Sequence, residues 1–211
     1  MVEELLRTEK SAIFIPHPDK IIPALRRKLK EKRFLHSLGV YHTMLVLGNK
    51  LGLPLDQCAV TGLLHDCARG FSRPDIGKML EQGPDGISEK DRGYGRIWHA
   101  RLGAELARTE FGVQDKIILE AIRIHPTGKP GMSPLAKLLF VADFIEPTRD
   151  FPGVERFRKM AHEDPETVFV KVLKNKTARV IEKKRSLHPD SIRACRYYLK
   201  EGVQHAFENK G

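Results

Sequence analysis

Cysteine is scarce in this 211-residue sequence, which has only Cys58, Cys67 and Cys195. An odd number with no C-x-x-C spacing excludes a disulfide framework, a zinc ribbon and thioredoxin-type redox chemistry, and it fits reduced thiols in a cytoplasmic setting. Long apolar runs are missing too. The longest stretch free of Asp, Glu, Lys and Arg runs from Phe34 to Asn49, too short for a membrane span and interrupted by two histidines, so no membrane association is expected. Met1 to Lys10 mixes charges of both signs without an apolar segment, which argues against a secretory signal. Alternating Val/Ile/Thr runs bounded by hairpin turns are absent, which leaves a β-sheet without support. Internal repeats and low-complexity tracts are absent as well.

Charge, by contrast, is plentiful and unbalanced. There are 37 basic and 27 acidic residues, a formal net charge of +10. Two stretches carry the surplus. Lys20 to Arg33 contributes +6 and Lys171 to Lys200 contributes +8, leaving the remainder at about −4. Such a surface favours polyanions: nucleotides, nucleic acid or an anionic membrane face. The bland reading is that the cations solvate helix faces. Aromatic residues make up only 7%, with Tyr197-Tyr198 the one adjacent pair, so stacking platforms for RNA bases have little support.

Hydrophobic periodicity is helical almost throughout, and the expected fold class is all-α. Phe34, Leu35, Leu38, Tyr41, Leu45 and Val46 recur at three- and four-residue steps, predicting a helix that ends near Gly52. Pro54 sits where the next helix begins, with Leu55, Val60, Leu63 and Leu64 on its apolar face. Ser72-Arg-Pro-Asp75 reads as a capping box. Residues 83–96 show no period and read as a surface loop. Further helices are expected over 98–110, 114–125, from Ser133-Pro134 onward, 165–184 and 189–206. Residues 1–18 read as an arm, and 19–211 as one helical domain with basic C-terminal helices.

Two acids in this pattern need partners. His65-Asp66 ends the apolar stretch Ala59–Leu64, and Asp143 follows Leu138-Leu139-Phe140-Val141-Ala142, both places where an unpaired charge is costly. A divalent cation held by neutral imidazole and carboxylate oxygen satisfies them, and so does a salt bridge. His36 lies on the first amphipathic helix, His99 opens the helix after the loop, and His125 closes another beside Pro126. The remaining five histidines, His17, His42, His162, His188 and His205, are left out of the set. His42 falls on another helical face than His36, and the other four lack acidic partners in a matching pattern.

The order His36 … His65-Asp66 … His99 … His125 … Asp143 resembles the H…HD…D pattern of the HD-domain superfamily of metal-dependent phosphohydrolases. Flanking words such as Arg33-Phe-Leu-His36, Gly62-Leu-Leu-His-Asp-Cys-Ala-Arg69, Phe140-Val-Ala-Asp-Phe-Ile-Glu-Pro147 and Leu187-His-Pro-Asp190 are similar to its YqeK branch, over roughly residues 30–195. The resemblance implies an HD-type helical bundle that hydrolyses diadenosine tetraphosphate symmetrically to two ADP at two divalent metal ions, iron with manganese as the alternative. It implies that His36, His65, Asp66 and Asp143 hold one ion and that His99 and His125 hold the other, with Asp66 bridging and taking a catalytic role. Two ions close together suit a phosphoanhydride, because they offset the charge that repels an incoming nucleophile and acidify water.

Arg69, one turn past Asp66, is placed to stabilise charge on the transferred phosphate and counts as catalytic. Thr127 and Lys129 follow the break at Pro126 and are candidates for phosphate contact. Glu146 and Arg149 are candidates for the rim of the site. Two other readings compete. One keeps the metal site but takes a mononucleotide, a cyclic nucleotide or a guanosine polyphosphate, since fold does not choose among them. The other is an RNA-associated helical protein that uses the basic stretches. A homo-oligomer is compatible with either.

Overall fold

The computed structural model describes residues 15–83 and 86–208, with side chains described up to residue 199 apart from Glu166. Every regular element among them is helical, and no strand occurs. The order is α1 (Pro18–Lys28), α2 (Glu31–Lys50), α3 (Leu55–Leu64), a 3₁₀ turn (Cys67–Gly70), α4 (Arg73–Gln82), α5 (Glu89–Arg92), α6 (Trp98–Thr109), α7 (Lys116–Ile124), α8 (Pro134–Ile145), α9 (Val154–Glu163), α10 (Pro165–Glu182) and α11 (Pro189–Glu208). Most of the arm expected over residues 1–18 lies outside the described residues. Of the remainder, Ile15 packs against the core and Pro18 already opens α1.

The caps explain most boundaries. Ser72 accepts from the Asp75 amide, Ser133 from the Ala136 amide, and Asp115 from the amides of Ile117 and Ile118, so each satisfies donors that a helix start leaves open. Pro74 and Pro134 follow their caps, where a missing N–H costs nothing. Two helices carry no strong sequence signal. α1 is interrupted by Pro23, and α9 starts behind Gly153, which takes φ 87. Residues 83–96 also differ from expectation. They hold α5, whose Asp91 is buried rather than solvated.

The core is organised around α8. Leu135, Ala136, Leu138 to Ala142, Phe144 and Ile145 are all buried, and α8 packs against α2, α3, α7, α9 and α10. A helix hydrophobic on nearly every side belongs in the centre of a bundle. α2 lies along α3, and two glycines permit the approach. A Cβ on Gly62 would stand 2.8 Å from Tyr41 Cα, and one on Gly48 2.5 Å from Cys58 Sγ. The face of α2 turned inward is Phe34, His36, Ser37, Val40, Met44 and Leu47. Leu35 and Val46, expected on that face, are instead exposed, as is Leu55 at the start of α3. The inward stripe admits His36 and Ser37 among its apolar residues because it lies over α3 and against the site.

Candidate metal centre

Two of the histidines are placed by one local device. A helix end leaves its last carbonyls without intrahelical donors. His65 is the residue after α3 and donates its Nδ1–H to the Gly62 carbonyl at 2.8 Å. His125 is the residue after α7 and donates its Nδ1–H to the Ile122 carbonyl, also at 2.8 Å. Each ring is thereby locked with Nε2 facing forward, off the negative end of its helix, where a cation is favoured. His36 comes from the second turn of α2, His99 from the first turn of α6 and Asp143 from the last turn of α8.

These side chains converge. His36 Nε2 stands 3.2 Å from His65 Nε2 and 3.3 Å from Asp143 Oδ1. His99 Nε2 stands 3.3 Å from His125 Nε2. Asp66 joins the two pairs. Its Oδ2 lies 3.9 Å from the Nε2 atoms of both His36 and His65, while its Oδ1 lies 3.3 Å from His99 Nε2 and 3.7 Å from His125 Nε2. Two three-residue groups with metal-holding geometry result, His36–His65–Asp66 and Asp66–His99–His125, and all of their members are buried.

The donor set fits cations on chemical grounds. With Nδ1 of His36 committed to Glu146 at 2.9 Å and Nδ1 of His65 to Gly62, the facing Nε2 atoms are both lone-pair acceptors in the neutral rings. Two acceptors 3.2 Å apart in a dry pocket repel unless a proton or a metal ion lies between them. Ligands bound cis to one ion at about 2.1 Å stand about 3 Å apart, close to these spacings.

The electrostatics point the same way. Burial drives the pKa of His65 and His125 down, and that of His99 down to about 4, keeping these rings neutral as metal ligation requires. Burial also acts on His36, but the bonds to Asp143 and Glu146 outweigh it and raise its pKa, so a proton is drawn to the place a cation would take. Burial alone would raise Asp66 and Asp143. His65, His99 and Arg69 instead hold Asp66 well below the usual carboxylate range, and Lys176, His36 and Arg149 do so for Asp143.

The other expected site residues separate into groups. Arg69 donates its Nε–H to Asp66 Oδ1 at 3.2 Å and is partly exposed beside the His99–His125 pair. Arg149 donates from Nη2 to Asp143 Oδ1 at 2.5 Å and from Nε to the Asp143 carbonyl at 2.8 Å. It lines a cavity of about 260 Å³ that also includes Thr127, Asp143, Lys176 and Arg179. Lys129 is turned away. It pairs with Glu120 and lines a different cavity. Glu146 is not a rim residue, because its carboxylate is fully buried behind His36, out of reach of any substrate. Its partners are the His36 Nδ1–H and the amide and hydroxyl of Thr148, so its task is to orient a candidate ligand.

Four contributors were not assigned from the sequence. Arg33, one turn before His36, points Nη1 at Asp66 Oδ2 at 3.4 Å. Lys176 reaches Asp143 Oδ2 at 3.1 Å, and Arg179 lies over the Phe151 ring at 3.9 Å in the cavity wall. Both come from α10, whose i, i+3 spacing was the available signal. Gly39 is the fourth, since a Cβ there would fall 2.3 Å from Glu146 Oε2. Part of each basic stretch is therefore turned toward the site.

The chain is similar to known proteins in sequence and in fold. The family described as the HD domain matches residues 33–148, more than half of the chain. A Bacillus subtilis protein named bis(5'-nucleosyl)-tetraphosphatase, symmetrical, is 33% identical over 82% of this chain and 93% of its own length. A protein of the same name from Halalkalibacterium halodurans is 32% identical over 86% of this chain and 97% of its own. Among solved structures, a Clostridium acetobutylicum protein described as a predicted HD superfamily hydrolase involved in NAD metabolism has a TM-score of 0.83 at 34% identity, and the match covers 89% of this chain and 100% of that one. Sequence, fold and the convergence of imidazoles and carboxylates agree: the chain belongs to the HD-domain family of metal-dependent phosphohydrolases, beside relatives named as symmetrical bis(5'-nucleosyl)-tetraphosphatases.

Proposed function

We propose that this chain is a cytoplasmic hydrolase of dinucleoside tetraphosphates that cuts diadenosine tetraphosphate at its central anhydride. The water oxygen ends on one central phosphorus, the bridging P–O bond breaks, and both products are ADP. The observation that carries the reading is Asp66, each of whose oxygens faces a separate histidine pair, together with Asp143, which touches His36 and lines a cavity shared with Arg149, Lys176 and Arg179. His36, His65, Asp66 and Asp143 would hold one ion and His99 and His125 the other, with Asp66 shared between them. Iron is the proposed metal, with manganese as the alternative, since imidazole and carboxylate suit both. When bound, a metal pair supplies Lewis acidity and a water acidic enough to attack at neutral pH.

The protein's own groups account for binding and charge. Arg149, Lys176 and Arg179 offer cations along the cavity wall for the polyphosphate of one nucleotide half. Arg69 and Arg33 flank Asp66 from opposite sides, where negative charge grows on the phosphate under attack. Asp66 stays ionised, which suits a shared ligand rather than a proton acceptor. The Thr127 carbonyl is held by the Ser191 hydroxyl at 3.0 Å, fixing a cavity wall. The basic surplus on this reading is complementary to a short polyphosphate, and no RNA-binding role is needed to explain it.

The test is product analysis. Protein loaded with ferrous iron or manganese should convert diadenosine tetraphosphate to ADP alone, and Asp66→Asn should reduce the rate about a hundredfold or more. Release of AMP and ATP instead would reject the symmetrical cut. Full activity in Asp66→Asn would reject the assigned centre.

A further inference from the structure

We infer that a buried ion network on the far side of the cavity wall, Asp91–Arg101–His188–Asp190, is a latch that positions segment 187–191 for nucleotide binding. The inference rests on the functional reading above. Nothing in that reading uses these four residues. All are buried, in a chain where buried charge is otherwise confined mainly to the site.

Each member of the network is paired, and Asp91, Arg101 and Asp190 also line the cavity that holds Lys129. Arg101 binds Asp91 with two parallel bonds, Nε to Oδ2 at 2.9 Å and Nη2 to Oδ1 at 3.1 Å, and gives Nη1 to the Arg123 carbonyl at 2.6 Å. His188 accepts the Asp190 amide N–H at Nδ1 at 3.1 Å, which leaves the proton on Nε2, and this donates to Asp91 Oδ1 at 2.9 Å. Asp190 pairs with Lys90 at 3.1 Å and with Arg193. Tyr94 stacks edge-on to the His188 ring at 4.8 Å and donates its hydroxyl to the Leu187 carbonyl at 3.2 Å. Trp98 Nε1–H meets the Asp91 carbonyl at 2.9 Å.

Side chains alternate along the segment. His188 and Asp190 face the latch, while Leu187 and Ser191 line the cavity that includes Asp143 and Arg149. Arg101 sits two residues after His99 on α6, and Asp91 belongs to α5. The network thus ties the helix of one candidate ligand, the 83–96 segment and the start of α11 to a single carboxylate. Buried bidentate pairs of this kind hold one geometry because every alternative strands a charge. His188 and Asp91 are positioning residues here and touch no substrate.

The experiment compares wild type with His188→Ala, His188→Gln and Tyr94→Phe, all metal-loaded. Metal content, ADP affinity by calorimetry and amide hydrogen exchange at residues 187–192 are measured. His188→Ala should bind ADP about tenfold more weakly, with unchanged metal content and faster exchange at 187–192. His188→Gln, whose amide reaches Asp91, should return within threefold of wild type. Tyr94→Phe, which keeps the ring, should weaken ADP binding about twofold to threefold in the same direction. Wild-type ADP affinity in His188→Ala, or weakening accompanied by metal loss, would overturn the latch. If wild type itself binds no nucleotide while His188→Ala still speeds exchange at 187–192, the functional reading fails and the latch stands.

Discussion

Replacing Glu146 by glutamine tests the histidine geometry with a change of one atom. In the native site, Oε1 accepts from His36 Nδ1 at 2.9 Å and from the Thr148 hydroxyl at 2.6 Å, and Oε2 accepts from the Thr148 amide at 2.6 Å. Glutamine offers one acceptor and one donor. With its oxygen toward His36, its NH₂ opposes the Thr148 N–H, donor against donor. With the amide reversed, its NH₂ opposes His36, which must then move its proton to Nε2, the atom facing His65 and Asp143.

The first arrangement leaves a buried donor unsatisfied, at a cost of about 1–3 kcal/mol; the second puts a proton on the Nε2 that a metal ion would need; both lose the charge-assisted bond to His36. Removing the partner that orients a ligating histidine weakens metal binding by roughly 10–100-fold. Metal retained after equilibration against graded chelator, with thermal melting in parallel, measures both effects. We expect metal affinity lower by that range and a melting temperature lower by about 2–10 °C. A variant that melts early yet holds metal within twofold of wild type would refute the orienting role and leave Glu146 as a purely structural acid.

Other perturbations have outcomes set by the same contacts. Gly62→Ala places a methyl 2.8 Å from the Tyr41 Cα, a backbone atom that cannot swing aside, so chemical denaturation should show about 2 kcal/mol or more of lost stability. Lys184, between α10 and α11, has φ 51, and Lys184→Gly should stabilise by about 0.5–1 kcal/mol once glycine's own chain entropy offsets part of the relieved strain. An unchanged or lower midpoint would contradict that assignment.

Metal-stripped protein should lose stability as pH falls from about 6.5 to about 4. His99 is driven down to about 4 when folded, so the unfolded chain binds the extra proton across that window, with an effect on the order of 3 kcal/mol from this residue. His65 and His125 act in the same direction, and His36, whose pKa is raised, opposes them. Melting curves at pH 7 and pH 5 with a chelator present check the sign, and a higher midpoint at pH 5 would refute it.

Local chemistry was written in the sequence. Ser72 and Ser133 set helix starts because capping is a matter of a few adjacent residues, and the apolar runs before Asp66 and Asp143 announced acids that needed partners. The ligand order was legible as a pattern matched to a family, residue by residue. Faces and partners across the fold were not. Leu35 and Val46 look like core residues by period, yet α2 turns Ser37 and His36 inward, since Gly62 lets it approach α3 along that side. Glu146 and Arg149 are three residues apart and carry opposite charge, but only the packing of α8 decides that one stands behind His36 and the other in the cavity.

His188 makes the same point from the other end of the chain. Its carboxylate partner is Asp91, nearly a hundred residues earlier in a segment without periodicity, and no window along the chain includes both. Capping, propensity and burial of short apolar runs act over a few residues and can be read in order. Which distant charge answers a buried one depends on how the helices pack, because an ion pair is specified by distance in space and by the loss of water around it.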